Sequence, residues 1–591
     1  MSQMIFERIK HRLEKLYPLE SAKDAYQELN RLIQICGVEP ELEVERWNQE
    51  DVVLISYADS IIDSEQGHQP LQVLREFLQE YVKDAVNTIH LLPFFPFSSD
   101  DGFSVIDFVK VEPDFGDWPD IQAISADYQL MVDLVINHIS RESLWFTDYK
   151  ADVPPFNRFF IEVDGREDVT MVVRPRNSPL LVPAYTHRGR KMVWATFSAD
   201  QIDLNFENPA VLVKMIEVLL FYVKQKTHIL RLDAIAFLWK KLGTNCIHLP
   251  ETHEVVKLIR DVFELVNPNG MVLTETNVPH NENLSYFGQQ DEAHLVYQFS
   301  LAPLVLHALY RGDGAYLTQW AQQLKPPAQG CNFLNFTASH DGIGLRPVEG
   351  ILPQREIEDL ITGMHRQGGY ISMRTRPDGS ESPYEINIAL FSAFRETANS
   401  QGPDQWQVDR FINSQLIMLS LQGIPAIYIH SLLATENDQT GVERTGRTRS
   451  INRKKWDKTY LKALLDGQNT ANSQVLNRLI HVLKRRKKHK AFHPDTSQKV
   501  LDLGTGFFAV WRGLGELDFP LLSIFNLTSE VKELDIQHEI GFESAEGWVN
   551  ILDHEHYEPQ NQLLVLQPYQ VLWLMPDNVD NVSPLWAMST S

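Results

Sequence analysis

The sequence predicts an α/β protein of the (β/α)8 TIM barrel class, with a small domain inserted after the third strand and an antiparallel β-domain at the C-terminus. Three observations predict it. From residue 51 onward, short apolar runs rich in β-branched residues alternate with longer stretches of helical periodicity, the pattern of a parallel sheet joined by helices. Eight such runs can be counted, and eight strands close a barrel. At 591 residues and 43% apolar, the chain can bury one large core and still carry appendages.

The eight runs are DVVLISYAD at 51, NTIHLLPF at 87, LMVDLVINHI at 130, ILRLDAIAF at 229, MVLTETN at 271, HLVYQFSL at 294, NFLNFTASHD at 332 and IPAIYIHS at 424. Outer-ring helices are expected at THEVVKLIRDVF, between the fourth and fifth runs, and before the fourth, where Val211, Met215, Val218, Leu219 and Tyr222 recur at helical spacing. Residues 140–205 are too long and too rich in Pro, Arg and aromatics for a simple connection, and read as the inserted domain over the active face. The barrel as a whole is expected over 49–470. Residues 1–48 carry two helical patterns, expected to pack on the barrel as an extension. A connecting helix is expected within 471–495, and the alternation in GFFAVWRG, PLLSIFNL and LLVLQPYQVLWLM makes 496–591 the β-domain.

A formal charge of −24, from 78 acids against 54 bases, argues against nucleic-acid and anionic-membrane partners. The one dense basic run, Lys484 to Lys490, reads as a solvated helix end. Cys36, Cys246 and Cys331 are scattered and odd in number, which suits a reducing compartment and neither a disulfide framework nor a metal site. The first residues lack the apolar core of a secretory signal, so a cytoplasmic protein is expected. His68, His90 and His138 lack ligand partners at metal-binding spacing, and neither metal nor other cofactor is expected. The sequence carries no signal of oligomeric state.

In a barrel of this class the reacting groups stand where the strands end. Asn137 and His138 end the third run, Arg231 and Asp233 lie on the fourth, Glu275 on the fifth, and His340 and Asp341 on the seventh. One carboxylate at a strand end is commonly a cap or an ion-pair partner. Three converging on one mouth suit glycoside chemistry, in which an ionised carboxylate attacks and a protonated one assists the leaving oxygen.

The stretches RLDAIAFLWK, TETNVPH, FTASHDGIG and DLVINHIS resemble the four signature segments of the α-amylase family of glycoside hydrolases. HLLPFFPFSSDDGFSVIDF at 90, RPR at 174, GTNCIHLPETH at 243 and GRTRSINR at 446 resemble its sucrose phosphorylase branch. The resemblance runs from about residue 50 to 456. It implies Asp233 as nucleophile, Glu275 as acid/base and Asp341 as the third carboxylate, which binds sugar hydroxyls in the transition state. Arg231 would keep Asp233 ionised, and His138 and His340 would bind glucose. Asp100 and Arg449 would be the pair closing the far end of a one-glucose pocket, with Phe103 and Phe237 as walls. Arg174 and Arg176 are the candidates for binding phosphate, Arg176 matching an arginine near the acceptor site of that branch.

SESPYEINIALF at 380, IYIHSLLATEN at 427 and TETNVPHNENLSYFG at 274, with Asn277 where sucrose phosphorylases usually have His, resemble the glucosylglycerate phosphorylase subgroup. The expected activity is therefore retaining phosphorolysis of a small α-glucoside, glucosylglycerate, by inorganic phosphate. The alternatives are a sucrose or sucrose 6-phosphate phosphorylase, an α-glucosidase that uses water, and a catalytically silent carbohydrate-binding barrel.

Overall fold

The computed structural model describes residues 2–38, 45–164, 166–375, 380–400, 402–517, 520–535, 542–543, 547–557, 563–577 and 583–584. Residues 39–44 of the expected extension and 585–591 of the expected β-domain lie outside that set.

Eight parallel strands close the barrel: β1 (Val53–Ser56), β2 (Thr88–Leu91), β3 (Gln129–Leu134), β4 (Thr227–Leu232), β5 (Met271–Thr274), β6 (Leu295–Tyr297), β7 (Asn332–Phe336) and β8 (Ile424–Tyr428). Each coincides with one of the eight runs, β3 and β4 beginning one and two residues before theirs. The ring closes at β1, where Leu54 lies opposite Ile89 of β2 on one side and Ile427 of β8 on the other. These strands are apolar almost throughout because one face fills the barrel and the other packs under the helices. Leu54, Leu91, Leu134 and Leu232 have no measurable exposure.

The outer ring includes Pro209–Lys224 and Pro250–Val266, each begun by a proline whose missing N–H costs nothing in the first turn. Asn208 caps the first by accepting from the Ala210 amide. Val211, Met215, Val218, Leu219 and Tyr222 all face inward and are buried.

After β3 the chain makes its long excursion. His138–Ser140 pairs antiparallel with Gln201–Asp203, and Glu162–Val163, Gly189–Trp194 and Leu181–Thr186 form a small sheet above the barrel mouth. A second excursion was not legible in sequence. After β7, Ile343–Gly344, Glu381–Asn387 and Tyr370–Thr375 form a three-stranded antiparallel sheet in a stretch where the sequence predicted no strand.

Two helices, α1 (Ser2–Leu16) and α2 (Leu19–Cys36), pack against the outer ring through Ile9, Leu13, Leu29 and Ile33. Polar contacts orient them: Arg8 and Arg12 share Asp261, and the Tyr17 hydroxyl donates to the Phe206 carbonyl. At the other end, Phe507–Arg512, Leu521–Asn526 and Val571–Pro576 lead a six-stranded antiparallel sheet. The sheet is fastened to the barrel by Arg512 and by the Trp573 indole, both donating to Ser420.

The basic run needs a correction. Arg486 is 1% exposed and donates to the carbonyls of Leu419, Gln49 and Phe492, so this cation ties three segments together instead of facing solvent.

Candidate active site

Arg231 organises the floor of the barrel mouth. Side chains two residues apart on a strand share a face, so Arg231 and Asp233 point the same way from β4. The buried guanidinium donates from Nη1 to Asp233 Oδ1 at 2.8 Å and from Nε to the Tyr297 hydroxyl at 3.2 Å, and it pairs closely with Asp133 of β3. Asp133 also accepts from His90 Nε2 at 2.6 Å. A charge this deep persists only with opposite charges and hydrogen bonds around it.

Just past Asp233 the backbone turns sharply. Ala234 adopts a left-handed conformation, φ 50° and ψ 30°, which costs an alanine about 1–2 kcal/mol. The turn aims the Ala234 N–H at Glu275 Oε2, 3.0 Å away, and so joins the loop after the candidate nucleophile to the candidate acid.

Asp341 is held from the other side. Its backbone carbonyl accepts from Asn452 Nδ2 at 2.9 Å, and the neighbouring His340 carbonyl accepts from Arg453 Nε at 2.8 Å. Its carboxylate pairs with Arg449 Nη1, with Arg453 at 3.6 Å and His340 at 3.6 Å nearby. The His340 ring stacks on Phe103 with centroids 4.8 Å apart and planes within 5°. His138 donates from Nε2 to the Phe103 carbonyl at 2.9 Å while its Nδ1 faces the Asn137 amide.

The three carboxyls share one buried site but not one electrostatic environment. Burial raises Glu275 to about 7, and the nearby charges of Asp233 and Asp341 push the same way against Arg231. Burial also raises Asp233, with Arg231 opposing it. For Asp341 burial is outweighed: Arg449, with Arg453 and Arg231, holds it well below the ordinary carboxylate range. Burial keeps His340 neutral by pushing its pKa far down. Unequal environments of this kind assign a proton donor and a permanent anion within one pocket.

Asp100, Phe103, His138, Arg176, Asp233, Phe237, Glu275, His340, Asp341 and Arg449 all line one cavity at the mouth. Arg231 lies beneath it, bonded to Asp233. One expectation changes, that for Arg174; Asp100 and Arg449 both line the cavity, each with partners of its own. Among the described residues no ion pair joins Asp100 to Arg449: Asp100 lies 3.8 Å from Arg453, while Arg449 forks to Glu385 and reaches Asp341. Arg449 stands on the turn Thr448–Asn452, facing the strand that carries Glu385, and those carboxylates are the ones in reach. Arg174 does not line the cavity. It turns away and donates to the Ser178 carbonyl, leaving Arg176 as the cation of that loop at the mouth, 5.7 Å over the Tyr384 ring.

Sequence reasoning missed Arg346, Gln201 and Phe197, which also line the cavity, and Asp133, His90 and Arg453 behind it. Arg346 had a faint signal, since it follows five residues after Asp341 in DGIGLR. Asp133 lies inside the third barrel run, where only the facing Arg231 reveals its purpose.

Comparison with known proteins agrees with this geometry. The model of the α-amylase catalytic domain matches residues 62–340. A glucosylglycerate phosphorylase of Spirochaeta thermophila is 41% identical, over 96% of this chain and 98% of its own. One from Escherichia coli is 40% identical, over 89% and 92%. The crystal structure of a sucrose 6F-phosphate phosphorylase from Thermoanaerobacter thermosaccharolyticum superposes with a TM-score of 0.69 at 24% identity, covering 81% of this chain and 94% of that one. The protein is an enzyme on a carbohydrate-processing barrel. The chain belongs to the α-amylase family.

Proposed function

We propose that this enzyme is a retaining phosphorylase that transfers the glucosyl unit of glucosylglycerate to inorganic phosphate, giving α-glucose 1-phosphate and glycerate. The observation that carries the reading is the 41% identity, along nearly the whole of both chains, to a protein with that activity in its name. The pocket supports it: three carboxyls of unequal acidity lie in one cavity whose mouth also holds arginines.

Arg231 occupies Asp233 Oδ1, so Oδ2 is the oxygen that attacks the anomeric carbon. As that bond forms, the bond to the leaving oxygen breaks and Glu275, raised to about 7 and so protonated in a large fraction of molecules near neutral pH, transfers its proton to that oxygen. Glycerate then departs. A phosphate oxygen attacks the same carbon, the ester to Asp233 breaks, and the proton of the entering hydrogen phosphate passes to Glu275. Two inversions restore the α configuration. Asp341, ionised throughout, binds sugar hydroxyls and stabilises the positive charge that develops on the ring.

The test runs the reaction backwards, from α-glucose 1-phosphate with glycerate, fructose, fructose 6-phosphate or glycerol as acceptor. Glycerate is expected to give the highest kcat/KM. Fructose or its phosphate winning by tenfold would make the enzyme a sucrose or sucrose phosphate phosphorylase, and free glucose as main product in the presence of phosphate would make it a hydrolase.

A further inference from the structure

The arginines at the mouth fall into two groups. Arg231, Arg449 and Arg453 are committed to carboxylates. Arg176 and Arg346 make no ion pair among the described residues, yet both line the cavity. Arg346 also has a buried Nε without a hydrogen-bond partner. An unmet donor of this kind is costly, and a carboxylate placed across Nε and Nη would offset the cost through a two-pronged, charge-assisted pair.

A second residue lining the cavity carries the complementary vacancy. Asn277, two residues beyond Glu275, lines the same cavity and has a buried Oδ1 without a donor. Asn277 packs against Gly344, two residues before Arg346, where an added Cβ would stand 2.8 Å from that Oδ1; only a residue without a side chain lets the strand pass so close. The backbone carrying Arg346 is anchored: the Leu345 amide donates to the Tyr384 carbonyl at 2.9 Å, and the Ser300 hydroxyl to the Pro347 carbonyl at 2.8 Å. One cation with an unpaired donor and one unpaired acceptor, lining the cavity that also holds Glu275, match a small hydroxy acid bearing both a carboxylate and a hydroxyl.

We propose that Arg346 is the specificity-determining residue that recognises the carboxylate of the leaving group, with Asn277 accepting a hydroxyl of the same molecule. The proposal rests on the phosphorylase reading above. Arg176, stacked on Tyr384 across the mouth, is then the cation for phosphate.

The test measures kcat and KM for glycerate and for glycerol, with α-glucose 1-phosphate as donor, in wild type, Arg346→Gln, Arg346→Lys and Arg176→Ala. The KM for phosphate is measured with α-glucosyl fluoride as donor. Arg346→Gln is expected to raise the KM for glycerate roughly ten- to a hundredfold, the loss of a charged hydrogen bond, with a much smaller change in kcat. Preference for glycerate over glycerol should collapse, and Arg346→Lys should recover part of it. Arg176→Ala should raise the KM for phosphate more than Arg346→Gln does. Equal losses on glycerate and glycerol would reduce Arg346 to a structural role and overturn the proposal, as would an unchanged preference. A phosphate defect in Arg346→Gln as large as its glycerate defect would overturn it too. A wild-type enzyme without preference for glycerate is a separate result: it refutes the proposed function, and this inference falls with it.

Discussion

Arg449 holds Glu385 with two nitrogens, Nε to Oε1 at 2.8 Å and Nη2 to Oε2 at 2.9 Å, and turns its remaining Nη1 to Asp341. The Glu385 side chain has no exposure, and a carboxylate there is tenable only because it is paired. The pair fastens the sheet that follows β7 to the wall of the pocket. It also fixes the cation that keeps Asp341 ionised.

Removing Glu385 therefore loosens both fold and site. Glu385→Ala leaves Arg449 with one carboxylate where it had two, and should lower stability by about 3–5 kcal/mol, read as a shift in the denaturant midpoint. Glu385→Gln keeps the shape and one acceptor and should lose less. In both variants KM for the glucosyl donor should rise, because Arg449 no longer holds Asp341 squarely. A Glu385→Ala enzyme as stable as wild type would show the pair to be incidental.

Under the proposed mechanism, the two reacting carboxyls are separable by leaving group. Asp233→Asn should keep the fold but reduce turnover by several orders of magnitude on every donor, since an amide forms no glycosyl ester. Glu275→Gln should lose most on the natural glucoside and far less on α-glucosyl fluoride, whose leaving group needs little protonation. Equal damage on the two donors would remove Glu275 from the acid role.

The pH profile follows from the raised Glu275. Phosphorolysis of a glucoside should fall as pH rises through about 7, where the proton donor is lost, whereas formation of the glucosyl-enzyme from α-glucosyl fluoride should not show that limb. Stability carries the same sign. A carboxyl at about 7 in the fold, against an ordinary 4.5, binds more protons folded than unfolded, so its contribution declines as pH rises across that window. Glu275→Gln should remove this dependence, and its stability relative to wild type should improve between pH 5 and 8. A ratio of stabilities independent of pH would contradict the raised value.

The sequence by itself determined the barrel. Eight β-branched runs separated by helical stretches leave little other choice, because parallel strands buried on both faces must be apolar throughout and a closed ring removes their edges. It also placed Asp233, Glu275 and Asp341, since strand ends at one mouth are a topological address that needs no coordinates. Only the tertiary structure decided which charges meet. Arg449, expected at the far end of the pocket, holds Glu385 and Asp341, partners that its sequence position does not reveal, and Arg174, two residues from Arg176, donates to the Ser178 carbonyl and does not line the cavity. Arg486, read as solvated, proved buried for the same reason. A strand or helix pattern follows from the period of the chain itself, whereas an arginine's partner depends on segments a hundred residues away whose approach no local period encodes. Arg346 shows the limit most clearly: the linear chain places it only five residues after Asp341, and the tertiary structure puts it on the same cavity as Asn277, which packs against Gly344.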